Sequence, residues 1–217
     1  MNDFADLRGQ MVRRQIEARG IFDPIILDAF REVPREEFVA EEYRPWAYDD
    51  NPLPIEAGQT ISQPYIVALM IEAAGMKAGD KVLEVGAGSG YAAALMSRIA
   101  RRVFGIERQA ELVQIACDRL ARLGYDNVTI VEGDGTRGYP SEAPFNAILA
   151  AASGSHVPKA LVDQLSPGGR LVMPIGDPGW VQELVKVTKR PDGSTEQENL
   201  GGVRFVPLIG AEGWSEN

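Results

Sequence analysis

Cysteine and histidine are almost missing from this sequence: among 217 residues there is one of each, Cys117 and His156. A lone cysteine allows no internal disulfide and no cysteine-rich metal site, and it fits a reducing compartment, so a cytoplasmic protein without a metal is expected. Basic residues are outnumbered, 22 Lys and Arg against 31 Asp and Glu, for a formal charge of −9. Such a balance argues against a general affinity for nucleic-acid phosphates, and the one short basic run, Arg101 and Arg102, is too small to form a patch. No apolar run reaches membrane-spanning length, and the opening MNDFADLRGQMVRRQ has no apolar stretch of signal-peptide type, so no membrane partner is expected. Internal repeats and low-complexity segments are lacking, as is any segment resembling an unsatisfied apolar interface, which leaves a monomer as the expectation.

What is present is enough apolar material for a substantial core, 45% of residues, in a length near the upper end for one domain. Phe4, Leu7, Met11, Val12 and Ile16 recur at helical spacing with Gly20 as a stop, and shorter helical segments are expected around Ile25 to Glu32 and Arg35 to Glu42. The proline-punctuated RPWAYDDNPLPIEAGQT reads as a long loop of the kind that often carries function, and Gln63 to Gly75 reads as a helix. From Lys81 the pattern becomes regular. KVLEV, RVFGIE, NVTIVEG, FNAILAAA and GRLVMPIG are nearly continuous apolar strands, interleaved with helices at Ser89 to Ala100, Ala110 to Leu123 and Pro158 to Leu165. That alternation predicts a doubly wound α/β domain with a mostly parallel, Rossmann-like sheet. WVQELVKVTK then alternates with period two, PDGS is a turn and TEQENLGGVRFVPLIG is a second extended segment, so a C-terminal antiparallel hairpin is expected. The expected organisation is one domain over 1–217: an N-terminal helical extension and loop (1–62), a cofactor-binding core (63–176) and C-terminal strands (177–217).

LEVGAGSG, Leu83 to Gly90, joins the first regular strand to its helix. Its glycines remove side chains where the chain turns sharply and where a ligand approaches the backbone, although such turns are glycine-rich whatever they bind. The spacing is GxGxG rather than the GxGxxG of dinucleotide sites, and an acidic Glu84 lies within the strand. Glu107 ends the next strand, where a carboxylate can accept hydrogen bonds from ribose hydroxyls, and Asp134 follows the third, placed to meet an adenine amine. Each alone is an ordinary strand-end carboxylate. Together, at one sheet edge and without a phosphate-binding Lys or Arg in the loop, they suit S-adenosylmethionine, with an NAD enzyme as the less fitting alternative.

GQTISQPYIVALM ahead of the glycine turn gives the chain a close resemblance to the protein-L-isoaspartate (D-aspartate) O-methyltransferase family, extending from about Met11 to Trp214. REVPREEFV, AYDDNPLPI, LEVGAGSGY, GYDNVTIVEGDGTRGYP, ALVDQLSPGGRLVMPIG and VRFVPLIG carry it in order. The resemblance implies methyl transfer from S-adenosylmethionine, leaving S-adenosylhomocysteine, to the free α-carboxylate of isoaspartyl residues in damaged peptides and proteins. The ester then collapses to a succinimide that partly hydrolyses to aspartate. It implies a methyltransferase sheet with added N-terminal helices and with the last two strands exchanged in order relative to other members. It also implies Ser62 as the active-site residue and cofactor contacts at Thr60, Ile61, Ser62, Gly86, Gly88, Glu107, Asp134 and Gly135. Two departures stand out. Where the family commonly reads GAAAP, this chain has AASGS (Ala151 to Ser155) followed by His156, which bears on substrate range, and Tyr65 stands where other members carry histidine.

The chemistry asks little of the side chains. An α-carboxyl with a pKa of about 3.5 is already an anion at neutral pH, so no general base is needed. The enzyme must hold oxygen, methyl carbon and sulfur in line, and one neutral hydroxyl can orient the acceptor without over-stabilising an anion whose charge the transition state neutralises. Ser62 can equally be an N-cap for the helix that starts near Gln63, with Pro64 tolerated in its first turn, and the two roles are compatible. His156 reads as a loop residue, Cys117 as core, and Asp49 with Asp50 as a solvated pair. The rival functions are a methyltransferase of the same fold for a small-molecule carboxylate, prompted by AASGS, and a cofactor-binding protein without turnover.

Overall fold

In a computed structural model, which describes residues 3–216, the N-terminal helical stripe folds as one rod with three kinds of turn. Helix α1 (Phe4–Met11), capped by the Asp3 carboxylate, runs through a π turn (Val12–Ile16) and a 3-10 turn (Glu17–Arg19) until Gly20, at φ 96°, ends it. Asp23 caps α2 (Pro24–Glu32), whose leading proline costs no hydrogen bond at that position. The helix expected at Arg35 to Glu42 is instead two 3-10 turns, Arg35–Phe38 and Glu41–Trp46. Val39 and Ala40 between them are extended, and Pro45 inside the second turn lacks the N–H that a longer helix needs.

The proline-rich loop is more ordered than its composition implies. Strand β1 (Leu53–Pro54) pairs antiparallel with β2 (Thr60–Ile61) around a tight turn that holds Ala57 at φ 54°. Helix α3 (Pro64–Ala74) follows and closes on Gly75 in the left-handed region.

The seven remaining strands form one sheet: β3 (Lys81–Val85), β4 (Arg102–Glu107), β5 (Val128–Glu132), β6 (Phe145–Ala150), β7 (Leu165–Ile175), β8 (Gln182–Lys189) and β9 (Thr195–Val203), in the order β5-β4-β3-β6-β7-β8-β9. The first five are parallel, while β8 and β9 are antiparallel to their neighbours and stand in chain order at the edge. Helices α4 (Tyr91–Ser97), α5 (Ala110–Arg122) and α6 (Lys159–Asp163) connect the parallel strands.

Strand parity decides the two cores. Val82, Val103, Ala147, Leu149, Val172 and Leu184 pack with the N-terminal helices, α3, α4 and α5. Leu83, Phe104, Ile106, Ile148, Leu171 and Met173 face the other way, toward Leu161 of α6 and Leu208 of the C-terminal segment. Burying each such side chain contributes about 1.5–3 kcal/mol, so a one-residue slip that turned a strand over would be strongly opposed. The strand order reverses between β3 and β6, and the crevice outside their carboxyl ends is where a sheet of this kind receives a ligand.

Candidate active site

The crevice is built by the turn after β3. Gly86, Gly88 and Gly90 take φ of 82°, 51° and 86°, which side-chain-bearing residues rarely adopt, and the Gly86 and Ala87 N–H groups both donate to the Ile106 carbonyl. The turn thereby brings Gly88 against the end of β4, where its N–H donates to Glu107 Oε2 at 3.0 Å while the Gln109 N–H donates to Oε1 at 3.0 Å. Glu107 is buried, and each of its oxygens keeps a lone pair for a further donor. Two hydroxyls of a ribose match that capacity.

A cavity of about 340 Å³ spreads over this carboxylate, lined by Thr60, Gly86, Gly88, Glu107 and Gly135, with Pro207 to Ile209 on the far wall. A smaller space of about 50 Å³ continues from it past Thr60, Ile61 and Ser62 to Glu84 and Tyr91. Glu84 points into this space from the α3 and α4 side of the sheet, its Oε2 buried with no partner among the described residues. Burial, and then the nearby charge of Glu107, push its carboxyl well above the usual range, against a smaller opposing effect of the Ala93 backbone. A carboxyl with one orphaned oxygen beside a cavity of this size suits the ammonium of an amino-acid tail. Arg108 lines the larger cavity but is paired with Glu216, so no free cation awaits a phosphate there among the described residues.

On the other side of Ser62 lies an open groove of about 740 Å³, bounded by Thr60, Ser62, Gln63 and Ile66, by Trp180 and Val181, and by Gly202 to Pro207. All three spaces meet at Thr60 and Ala151. The Thr60 to Ser62 segment is therefore a partition between the two smaller spaces and the larger groove. It is held from several directions: by the β1–β2 ladder, by Arg119 of α5 on Glu56 at 2.9 Å, and by Gln63 Nε2 donating to Asp50 Oδ1 at 2.8 Å, with Arg19 paired to the same carboxylate.

The helix-cap reading of Ser62 needs correction. The capping position of α3 belongs to Gln63, no side chain caps the helix, and Pro64 takes the first turn. The chain enters the helix one residue later than the hydroxyl, so Ser62 lies outside the position from which a side chain reaches the first free N–H groups. Asp134 is held within the chain. Its Oδ1 accepts from the Thr136 N–H and hydroxyl at 2.9 and 2.6 Å, and its Oδ2 accepts from the Ala211 N–H at 2.8 Å. Burial acts to raise its pKa, but those bonds and Arg137 outweigh it and hold the carboxyl below its usual range. Asp134 anchors the C-terminal segment, and Gly135 is the neighbour that lines the cavity.

Of the AASGS loop, Ala151 and Ala152 reach the cavities. Ser153 is fully buried under the C-terminal segment, and Ser155 and His156 are exposed and bonded to each other. Tyr65 lies under the Arg19 guanidinium at 4.6 Å, a stacking that a protonated histidine would disfavour.

The family model described as protein-L-isoaspartate(D-aspartate) O-methyltransferase (PCMT) matches residues 7–213. The chain belongs to that family. A protein-L-isoaspartate O-methyltransferase of Rhodopseudomonas palustris is 54% identical over 206 residues, covering 95% of this chain and 94% of the relative. One from Methylorubrum extorquens is 53% identical over 214 residues, covering 99% and 93%. A solved protein-L-isoaspartate O-methyltransferase superposes with a TM-score of 0.87 at 32% identity, over 95% of this chain and 67% of the other. A putative Plasmodium falciparum family member, solved in complex with S-adenosyl-L-homocysteine, gives 0.80 at 28% identity over 96% and 99%. Ser62, the glycine turn, Glu107 and the loop that begins at Ala151 are placed at the site by sequence alone, whereas Tyr91 and Pro207 to Ile209 reach it only through folding. VRFVPLIG was the available signal for the last of these.

Proposed function

We infer that this protein transfers the methyl group of S-adenosylmethionine to the free α-carboxylate of L-isoaspartyl and D-aspartyl residues in damaged proteins, starting their repair through a succinimide. The observation that carries the reading is the partition at Thr60 to Ser62, with the cavity over Glu107 and its small extension on one side and a larger groove of about 740 Å³ on the other. S-adenosylmethionine, when bound, supplies a methyl group activated by its sulfonium. Glu107 would hold the ribose hydroxyls, Gly86 and Gly88 would let the backbone come close, Gly135 would line the same cavity, and Glu84 would receive the ammonium of the amino-acid end. Thr60 and Ile61 close over the cofactor and keep water from the reacting atoms. Ser62 donates its hydroxyl to one oxygen of the acceptor carboxylate and turns the other toward the methyl carbon. Positioning of this kind supplies roughly 7–11 kcal/mol of a bimolecular barrier, and the acceptor needs no base.

An extended peptide suits the larger groove better than a small acid does, and the serines of AASGS and the following His156 are not part of the groove wall. The whole chain is read as one methyltransferase domain acting as a monomer in the cytoplasm. In support, Cys117 is a free thiol, and no helix among the described residues is long and apolar enough to cross a membrane. The deciding experiment is methylation of a synthetic isoaspartyl peptide beside its normal aspartyl twin. Base-labile methyl incorporation into the first alone is expected. Cofactor binding by calorimetry with no transfer to either peptide would refute the assignment and favour a binding protein.

A further inference from the structure

The acceptor groove has one charged residue among the described residues that line it, Arg204. Arg204 is exposed and takes part in no ion pair with a described residue, so its charge faces the groove uncompensated. The rest of the wall is apolar or neutral, with Trp180 and Val181 75% and 63% exposed.

The backbone that carries Arg204 is clamped on both sides. Val203 pairs with Gln182 at the end of the β8–β9 ladder. The Gln182 side chain, itself buried, accepts from the Phe205 N–H at 2.7 Å and donates to the Phe205 carbonyl at 3.1 Å, imitating one more strand pair. Next, the Ser153 N–H donates to Val206 and the Leu208 N–H to Ser153, both at 2.8 Å, and the Trp214 indole N–H donates to the same Ser153 carbonyl at 2.9 Å. A guanidinium mounted on a pinned extended segment loses less entropy on binding than one on a free loop.

Arg204 is poorly suited to the reacting carboxylate. A paired guanidinium would hold the ground-state anion more strongly than a transition state whose charge is disappearing, and Ser62 already offers a neutral donor. We propose that Arg204 is a specificity-determining residue that binds a second anionic group, an acidic side chain flanking the isoaspartyl residue, so that this enzyme favours isoaspartyl sites in acidic sequence. The inference rests on the isoaspartyl reading given above.

The test uses paired isoaspartyl peptides that differ only in a flanking Glu or Gln on either side. Wild-type protein is expected to favour the Glu peptide in kcat/KM by about fivefold at low salt, the reach of one solvent-facing charge pair, with the preference shrinking as salt is raised. Arg204→Gln should erase the ratio, Arg204→Glu should invert it and Arg204→Lys should retain most of it. S-adenosylhomocysteine binding by calorimetry checks that the variants keep the cofactor site. Equal ratios in wild type and Arg204→Gln, or an equal loss on both peptides, would overturn the proposal while the isoaspartyl reading stands. Failure of wild type to methylate any of the peptides would overturn both.

Discussion

Ser62→Ala separates the two readings of the serine, and the structure sets the size of each. The hydroxyl sits between β2 and α3, outside the capping position, and its residue lines both the small cavity and the groove. Its loss removes no cap, so stability should stay within about 0.5 kcal/mol of wild type, as for substitutions away from packed or hydrogen-bonded features. A lost cap would instead cost about 1 kcal/mol and lower Tm by about 2–4 °C in a domain this size. For catalysis, the bond at stake joins a neutral donor to a carboxylate, worth about 1.5–3 kcal/mol, or roughly tenfold to a hundredfold in rate. Because the bond orients the acceptor more than it holds it, the loss should fall mainly on kcat, with cofactor affinity little changed. Steady-state methylation of an isoaspartyl peptide, cofactor calorimetry and a thermal melt measure all three quantities. A Tm lowered by 2–4 °C with kcat intact would refute this reasoning.

Three further outcomes are expected. Gln182→Met keeps the side-chain volume but leaves the Phe205 N–H and carbonyl without their partner, which should cost about 2–4 kcal/mol in urea unfolding and raise KM for peptide; a cost under 0.5 kcal/mol would mean the clamp is dispensable. Glu84 has a folded pKa above its usual value of 4.5, so the stability tied to its neutral form is complete below that pH and is lost as pH rises through the folded pKa. Cofactor-free Glu84→Gln should accordingly match wild type in acid, exceed it increasingly toward alkaline pH in a melting series, and bind cofactor more weakly; parallel melting curves would contradict this. Asp134 is the opposite case, with a folded pKa below 3.8, so its contribution is present above that value and disappears as pH falls through the lower folded pKa. Asp134→Asn turns an acceptor toward the Ala211 N–H into a donor, and should cost about 1–3 kcal/mol at pH 7 and progressively less in acid, with weaker cofactor binding as the C-terminal segment loosens. A gap that does not narrow in acid would count against it.

The central strands β3, β4 and β6 are legible in the sequence because they are buried on both faces and bounded by glycine and helix signals, so neither their length nor their type depends on distant partners. Where partners decided, the reading slipped. LSPGG has the composition of a turn, yet Leu165 pairs with Phe145 across an irregular register, and β7 begins four residues before Gly169. The Arg35 to Glu42 segment has helical composition, but Arg35 is fully buried with its Nε donating to the Ala47 carbonyl at 2.7 Å and its guanidinium over the Tyr91 ring at 4.8 Å. Local propensity carries no information about that tertiary bond.

The site divides in the same way. Residues next to strand ends could be placed from sequence, because the carboxyl edge of a parallel sheet collects them whatever the loops do. Glu84 was visible, and parity alone puts it on the Val82 side with α3 and α4, but its orphaned oxygen depends on what α4 brings over it. Ser62 gains most from the correction. A capping hydroxyl is committed to a backbone N–H of its own helix and can give an acceptor only what remains. With Gln63 at the cap and Pro64 leading the helix, the Ser62 hydroxyl carries no such obligation, while the ladder between Ile61 and Leu53 fixes its backbone from the other side. The segment that looked like a helix start is better understood as the end of a short strand, and that is the arrangement in which its hydroxyl is both held in place and free to turn to a carboxylate.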